Sequence, residues 1–363
     1  MTNSAQAHAS PRSRSLKRAR AVVTAGAVAA SLLVGCSGGE KEKPERSRPA
    51  APSQQDGDGS AKEPEKKPVA FAPYVDTSLK PSYDLLRNAR RTGVKEYNLA
   101  FVSPGRGKCT PMWGGRQKLR ENPVARQAAE LRKAGGDVRV SFGGQSGNEL
   151  ARACDSVDEL VAAYTEVVET YDLTKVDFDI EGPALTDAGA NELRARAIVR
   201  LQKQLPKLDV SFTLPVMPAG LNRDALAVLK SAKKNGARVS AVNIMAMDYG
   251  TYYDGDMGEY AVKAATATQK QVRSVLGVRD QEEAWRTVSV TPMIGVNDVK
   301  VEVFRPEDAT ELRKFAEEKG LGGLSMWSAT RDRPCPSGPN TKAQATCSST
   351  GDSTHEFAEA FGG

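Results

Sequence analysis

Histidine is nearly absent from this sequence of 363 residues. Only His8 and His355 occur, and they lie close to opposite ends of the chain. A Ser-His-Asp triad needs an imidazole base beside its nucleophile, and many zinc sites in proteins use histidine ligands. Most histidine-dependent chemistry is therefore excluded, and carboxylates become the natural candidates for acid–base catalysis.

The main part of the chain also lacks an excess of positive charge. The formal net charge is +6, but residues 1–67 hold 12 Lys or Arg against 7 Asp or Glu, whereas residues 68–363 hold 39 against 38. A nucleic-acid-binding domain carries a basic surface. Because residues 68–363 are almost neutral, we expect no nucleic-acid partner.

A long apolar run is missing as well. Residues 21–34 are apolar, but a membrane-spanning helix needs about 20 such residues. Five basic residues precede this run, as is typical of a secretory signal. The run ends in Leu33-Val34-Gly35-Cys36, which resembles a bacterial lipobox. We predict a lipoprotein signal peptide over residues 1–36 with lipid attached to Cys36. An ordinary signal peptide that contains a cysteine is the alternative.

Large apolar residues are scarce between this signal and residue 68. Residues 37–67 are rich in Glu, Lys, Pro, Ser and Gly, and such a segment cannot bury enough surface to offset its loss of entropy on ordering. We predict a disordered linker there. We expect the mature protein to be an exported monomer that is either lipid-anchored to the outer face of the bacterial cell membrane or secreted.

Four cysteines follow the linker. In an exported protein, an even number of cysteines indicates disulfides. Three pairings are possible for Cys109, Cys154, Cys335 and Cys347. We favour Cys109–Cys154 and Cys335–Cys347 because each closes a comparatively local loop. Free buried thiols are the alternative, and no cysteine spacing resembles a metal site.

Apolar runs alternate with helix-like stretches from residue 68 to the C-terminus. Eight such alternations indicate a (β/α)₈ barrel over residues 68–363. A doubly wound open sheet is the second choice, but its glycine-rich phosphate loop is not evident. The predicted strands cover residues 70–75, 96–102, 137–142, 175–180, 208–214, 239–245, 287–294 and 322–327. The predicted helices cover residues 83–91, 123–134, 157–171, 188–204, 223–234, 261–276 and 308–319.

Three acids alternate along the predicted fourth strand. Asp177, Asp179 and Glu181 are separated by Phe178 and Ile180, so the three carboxyl groups share one face of the strand. Burying several unpaired carboxylates is costly, and their mutual repulsion keeps at least one protonated. Glu181 comes last and would lie at the C-terminal mouth of the barrel, where active sites of this fold are built.

Four segments resemble signatures of the family 18 glycoside hydrolases, the chitinases and their relatives. Residues 174–181 match the family's alternating aspartates and glutamate, although Thr174-Lys175 replaces the usual Asp-Gly. The resemblance is closest to a bacterial and archaeal branch and spans residues 70–335. The other segments end the predicted third, sixth and eighth strands: Ser141-Phe142-Gly143-Gly144, Met245-Ala246-Met247-Asp248-Tyr249 and Met326-Trp327.

The resemblance implies a retaining hydrolysis of chitin-type chains that is assisted by the substrate's own acetamido group. Glu181 would protonate the glycosidic oxygen, Asp179 would orient the acetamido group, and Asp177 would tune Asp179. No metal or organic cofactor is implied. Met247 stands where the family has a tyrosine, and Tyr249 would replace it if the strand continues. The residues expected to bind substrate are Ser141, Gly144, Met245, Asp248, Tyr249 and Trp327.

Two other functions remain open at this point. The same residues serve endo-β-N-acetylglucosaminidases, which cut N-linked glycans, and the two activities differ mainly in loop shape. A non-catalytic glycan-binding lipoprotein is the other alternative, against which the presence of Glu181 argues. Aromatic residues make up 6% of the chain, which favours soluble or accessible chains over crystalline chitin. Trp113, Tyr252 and Tyr253 lie in predicted loops and either line sugar subsites or anchor those loops.

Overall fold

The computed structural model describes residues 69–145 and 149–362. The predicted signal peptide with Cys36 and the predicted linker lie outside the described residues, and both remain predictions. Within the described ranges, no helix combines the length and the apolar character needed to cross a bilayer.

Eight parallel strands pair in chain order and form a closed barrel. Each strand is hydrogen-bonded to the next one along the chain. The ring closes where the backbone N–H of Ala72 donates to the carbonyl of Leu324, 2.9 Å away. The predicted (β/α)₈ barrel is confirmed. The strands are β1 (Tyr74–Asp76), β2 (Glu96–Pro104), β3 (Asp137–Gly143), β4 (Lys175–Asp179), β5 (Asp209–Met217), β6 (Ala241–Ala246), β7 (Val288–Pro292) and β8 (Gly323–Leu324).

Helices follow the strands and cover the outside of the barrel. Short antiparallel strands also occur at Pro111–Trp113, at Gly220–Leu221 and in a hairpin of Gly295–Val296 with Val303–Phe304. The helices are α1 (Leu85–Thr92), α2 (Ala128–Lys133), α3 (Val157–Tyr171), α4 (Pro183–Thr186), α5 (Ala188–Gln204), α6 (Arg223–Asn235), α7 (Met257–Leu276), α8 (Gln281–Arg286), α9 (Pro306–Lys319) and α10 (Glu356–Gly362).

Capping residues explain where the longer helices begin and end. Ser156, Asp187 and Asp256 each accept a hydrogen bond from the backbone N–H three residues further on. The cap at Asp256 starts α7 at Met257, whereas the sequence pattern predicts a start at residue 261. Helices α6 and α9 end at Gly236 and Gly320, which adopt the left-handed conformation that favours glycine.

Two predicted elements are shorter than expected. The helix predicted over residues 123–134 begins as a 3₁₀ turn, Ala125–Gln127, and only Ala128–Lys133 is α-helical. The predicted eighth strand forms a regular ladder only at Gly323–Leu324. Its path nevertheless continues along β7, because the backbone N–H of Trp327 donates to the carbonyl of Pro292.

Aromatic side chains fill the layer between the barrel and its helices. The Phe178 ring lies 5.3 Å from that of Phe142, 5.7 Å from that of Phe212 and 5.1 Å from that of Tyr164 on α3. Phe178 and Ile180 are fully buried. Strand alternation therefore directs Asp177 and Asp179 of β4 to the interior of the barrel.

Both favoured disulfides are present, and the predicted pairing is confirmed. Cys109 pairs with Cys154, with 4.6 Å between their Cα atoms. Cys335 pairs with Cys347, with 5.0 Å between their Cα atoms. The second disulfide closes the segment between the end of the barrel and α10.

Candidate active site

Asp177 lies deep in the barrel interior and is surrounded by hydroxyl groups. One carboxylate oxygen accepts from Ser211 Oγ at 2.6 Å and from Thr213 Oγ1 at 2.9 Å. The other accepts from Ser141 Oγ at 2.6 Å and from Tyr74 Oη at 3.0 Å. Ser141 and Ser211 stand directly beside Asp177 on the neighbouring strands. Four donors satisfy this buried carboxylate, so its burial is compatible with a stable fold.

The hydroxyl cluster continues around the barrel through two residues that were not expected at the site. Asn243 on β6 donates from Nδ2 to Thr213 Oγ1 at 3.0 Å and accepts from Thr291 Oγ1 at 2.9 Å. Polar residues at alternate positions in otherwise apolar strands were the available signal, since Ser211 and Thr213 alternate on β5. The network joins six strands, β1 and β3 to β7, beneath the cavity.

Asp179 lies above Asp177 in a different environment. Its side chain is buried, and Oδ1 has no hydrogen-bond partner among the described residues. Burial raises the pKa of Asp179 well above its usual range, and the charges of Glu181 and Asp177 raise it further. This shift favours the protonated form of Asp179, whose side chain shares a hydrogen bond with Glu181.

Glu181 follows the strand end and is partly exposed in the cavity. Burial raises the pKa of its carboxyl to about 7, the hydrogen bond with Asp179 opposes this rise, and the charge of Asp248 adds to it. A carboxyl group with a pKa near 7 is protonated in a substantial fraction of molecules at neutral pH. Glu181 can therefore act as a general acid.

Two glycines allow the end of β3 to approach β4 closely. Gly143 and Gly144 have φ of +103° and +86°. A Cβ at Gly143 would lie 2.1 Å from the carbonyl oxygen of Asp179, and one at Gly144 would lie 2.6 Å from the Phe101 ring. The backbone N–H of Gly144 donates to the same carbonyl at 3.2 Å. These contacts fix the strand that carries the acids.

The expectation that Ser141 and Gly144 bind substrate is corrected by these positions. Neither residue lines the cavity. Ser141 is fully buried because its hydroxyl donates to Asp177, and Gly144 is buried against Phe101. Both support the residues that reach the cavity and do not face it themselves.

A cavity of about 290 Å³ opens above the acids. Asp179 and Glu181 line one side, and three of the predicted binding residues, Met245, Asp248 and Trp327, line it as well. The Trp327 ring stacks on that of Phe101, with 5.5 Å between the centroids. Other lining residues were not predicted from the sequence: Tyr74, Phe101, Gln145, Thr213, Met217, Met293 and Asp298.

The predicted position of Tyr249 is wrong. Strand β6 ends at Ala246, and Asp248 has a φ of +51°, so the alternation that would place Tyr249 beside Met247 does not continue. Met247 lines the cavity, whereas Tyr249 is buried against Tyr253 and does not line it. Tyr249 is therefore not placed to contact a sugar there.

The three aromatic residues predicted in loops, Trp113, Tyr252 and Tyr253, have different surroundings. Trp113 is buried, and its Nε1 donates to Tyr171 Oη at 2.7 Å, so it anchors its loop. Tyr253 packs against Tyr249 and Tyr260. Tyr252 is 93% exposed and does not line the cavity.

Asp248 faces the cavity from the loop after β6. Its Oδ1 accepts from the backbone N–H of Val299 at 2.9 Å. Burial raises the pKa of Asp248, the Val299 N–H opposes this rise, and the charge of Asp298 adds to it. Within residues 69–145 and 149–362, no group of three or more His, Cys, Asp or Glu side chains is arranged to hold a metal ion.

Known proteins resemble this chain over most of its length. No family model matches it. An Escherichia coli protein named "Probable bifunctional chitinase/lysozyme" is 34% identical over 277 residues, and Endochitinase 11 of Metarhizium anisopliae is 32% identical over 278 residues. Each alignment covers 73% of this chain, but only 31% of the first relative and 52% of the second. The chain thus spans about a third and about half of their lengths.

Solved structures match more completely. The catalytic domain of a hyperthermophilic chitinase from Pyrococcus furiosus is 35% identical with a TM-score of 0.73, and the match covers 80% of this chain and 93% of that one. Active domain 2 of a P. furiosus chitinase, in mutants complexed with chito-oligosaccharides, is 34% identical with a TM-score of 0.74 over 83% and 96%. A GH18 chitinase from Pseudoalteromonas aurantia shares the fold at 15% identity, with a TM-score of 0.54 over 72% and 94%.

Proposed function

Because this chain belongs to the chitinases of glycoside hydrolase family 18, we propose that it hydrolyses β-1,4 bonds between N-acetylglucosamine units of chitin or chitooligosaccharides. The observation that carries the proposal is the pair of Asp179 and Glu181 in the cavity. The pKa of Glu181 is raised to about 7, and Asp179 has a buried oxygen without a hydrogen-bond partner in the part of the chain that the structure describes. This pair supplies both a proton donor and an acceptor for a substrate N–H.

The proposed reaction proceeds in two steps. Glu181 donates its proton to the glycosidic oxygen while the acetamido carbonyl oxygen of the same sugar attacks the anomeric carbon, so the glycosidic bond breaks and an oxazolinium ion forms. Asp179 accepts a hydrogen bond from the acetamido N–H, and its carboxylate form stabilises the positive charge of the oxazolinium ion. The Glu181 carboxylate then takes a proton from a water molecule while the oxygen of that water attacks the anomeric carbon. This attack opens the oxazolinium ring and restores the acetamido group. The configuration at that carbon is retained.

The remaining cavity residues would hold the sugar. The face of Trp327 suits stacking under the reacting ring, with Phe101 behind it. Asp248, which lines the same cavity as Glu181, offers a hydrogen-bond acceptor. Met245 and Met247 supply apolar walls. Asp177, whose oxygens are engaged by four hydroxyls, would act from below through its charge on Asp179.

A product analysis on a defined chitin hexamer tests this proposal. We expect shorter oligomers whose new reducing ends are first formed as the β-anomer in proton NMR spectra. Initial formation of the α-anomer would exclude the proposed mechanism. A high-mannose glycopeptide assayed in parallel identifies an endo-β-N-acetylglucosaminidase if only that substrate is cut. Binding of the hexamer without cleavage of either substrate identifies a glycan-binding protein.

We also propose that the chain is exported, lipidated at Cys36 and monomeric. The order of basic residues, apolar run and cysteine in the sequence supports lipidation. Expressed in a bacterium, the wild-type protein should fractionate with membranes, and Cys36→Ala should not. A soluble wild-type protein cleaved elsewhere would favour an ordinary signal peptide. Sedimentation of the variant tests for a monomer.

A further inference from the structure

A short hairpin lies against the loop that carries Asp248. The hairpin pairs Gly295–Val296 with Val303–Phe304 and follows β7. Two hydrogen bonds join it to the loop in opposite directions. The backbone N–H of Val299 donates to Asp248 Oδ1 at 2.9 Å, and the backbone N–H of Gly250 donates to Glu302 Oε1 at 2.8 Å.

Glu302 is an unusual residue for this position, because its side chain has no solvent exposure. Its Oε2 has no partner among the described residues. The backbone N–H groups of Asp248 and Tyr249 face the same carboxylate as that of Gly250. Burying a carboxylate costs several kcal/mol unless its surroundings compensate. Burial raises the pKa of Glu302, and the Gly250 N–H, which donates to Oε1, and the amides of Tyr249 and Asp248 oppose this rise.

The conformation of that loop needs such support. Asp248 has a φ of +51° and Gly250 a φ of +115°, and a left-handed non-glycine residue costs roughly 1 kcal/mol or more. Successive amides in such a conformation form a concave site for an anion. The Glu302 carboxylate provides that anion from within the chain.

The hairpin itself is held from behind. Arg331 is buried and donates from Nη2 to the carbonyls of Ile294 at 2.8 Å and Val296 at 2.6 Å. The backbone N–H of Val296 donates to the carbonyl of Ser348 at 2.9 Å, within the segment that follows the Cys335–Cys347 disulfide. Glu302 is thus mounted on an anchored support.

We propose that Glu302 is a positioning residue, whose carboxylate fixes residues 248–250 so that the Asp248 side chain faces Glu181 in the cavity. The effects on kcat and on its pH profile that follow from this positioning rest on the proposed function. Asp248 carries a charge that favours the protonated form of Glu181. Asp179 also acts on Glu181, Asp298 and Arg331 act on Asp248, and the charge of Asp248 raises the pKa of Glu302.

A double-mutant cycle with Glu302→Ala and Asp248→Asn tests the proposal. Displacement of the Asp248 charge lowers the pKa of Glu181. The alkaline limb of the pH profile of kcat should therefore move to lower pH in Glu302→Ala, with kcat reduced about tenfold or more and KM changed much less. In the double variant, the loss should be no larger than in Asp248→Asn alone. Fully multiplicative losses would overturn the proposal.

Three further variants separate positioning from folding. Glu302→Gln keeps an acceptor for the Gly250 N–H but loses the charge, so it should recover part of the lost kcat. Glu302→Asp keeps the charge but no longer reaches the Gly250 N–H, so it should recover less. Val301→Ala changes the exposed neighbour and should leave both kcat and the limb unchanged. If Glu302→Ala does not fold, the Gln and Asp variants carry the test. The proposal would be overturned if both variants had the kcat and the pH profile of the wild type.

Titration of the Glu181 carboxyl followed by ¹³C NMR measures the pKa of Glu181 without a substrate. The Glu181 signal is assigned from its absence in Glu181→Gln. Its pKa should be lower in Glu302→Asp than in the wild type, and an unchanged value would contradict the positioning role. A wild-type protein that fails to cut the hexamer would instead count against the proposed function alone.

Discussion

Asp177 and Asp179 occupy the same face of β4, two residues apart, yet their surroundings are opposite. Asp177 accepts hydrogen bonds from four hydroxyl groups, which come from the two neighbouring strands and from Tyr74 on β1. Asp179 has one oxygen that no group within residues 69–145 and 149–362 hydrogen-bonds, and burial raises its pKa. The lower carboxylate is part of a saturated network, and the upper one is left with unused capacity.

This difference indicates how one strand serves both stability and chemistry. A buried carboxylate with all its acceptor sites filled holds the barrel together and cannot engage a substrate. A carboxyl with an unused oxygen costs stability, but it can accept a substrate N–H. The division falls between two residues of the same type, so the neighbouring strands decide it.

Glu181→Gln should give the largest effect and tests the upper region directly. Glutamine cannot donate a proton to the glycosidic oxygen, so kcat on a chitin hexamer should fall by about 10²- to 10⁴-fold. The midpoint of urea unfolding should be retained or raised, because a costly buried carboxyl is removed. Glu282→Gln, on an exposed part of α8, is the control with the same change. A loss below tenfold would remove Glu181 from its assigned role.

Alanine substitution of the two aspartates separates the regions by stability. Asp177→Ala leaves four buried hydroxyls without their acceptor, and we expect a loss of about 3 kcal/mol or more in the free energy of unfolding. Asp179→Ala removes an oxygen that has no partner, so its loss should be below about 1 kcal/mol while kcat falls strongly. Urea unfolding of both variants measures these losses in the free energy of unfolding. Equal losses would contradict the difference between the surroundings of Asp177 and Asp179.

The pH dependence follows from the raised pKa of Glu181. Its acid form is lost as the pH rises through about 7, so kcat/KM should fall about tenfold per pH unit beyond that point. A folded-state pKa above the ordinary value also means that this group's contribution to stability is full below pH 4.5 and is lost as the pH rises to about 7. Glu181→Gln should lack that loss. A rate that stays constant to pH 9 would contradict the assignment.

Tyr74→Phe should give the smallest effect, because Tyr74 belongs to both regions. Its hydroxyl donates to Asp177, while the residue also lines the cavity. Removal of the hydroxyl leaves three donors to Asp177, and we expect a loss of about 1 kcal/mol in the free energy of unfolding. The aromatic ring remains, so kcat should change less than in Asp179→Ala. A larger kinetic loss than that of Asp179→Ala would assign the hydroxyl a direct part in the reaction.

Local pattern predicted the elements well and the roles of some residues poorly. The predicted bounds of α3 and α5 agree with the structure because apolar periodicity and capping side chains are local signals. Ser141 was expected in the cavity but donates to Asp177, a contact set by the register between β3 and β4. Trp113 anchors a loop because Tyr171 of a distant helix accepts its N–H. Such contacts join residues that are far apart in the chain.

The sequence by itself indicated the barrel and the position of Glu181 at a strand end, because alternation encodes both directly. It favoured the correct disulfides among three possible pairings, and the structure decided between them. Only the tertiary structure decided that Asp177 is saturated, that Asp179 is not, and that Tyr249 turns away from the cavity. The last of these depends on the left-handed backbone at Asp248, which the hairpin supports through Val299 and Glu302. A hydrogen bond across 52 residues leaves no periodic trace in a sequence.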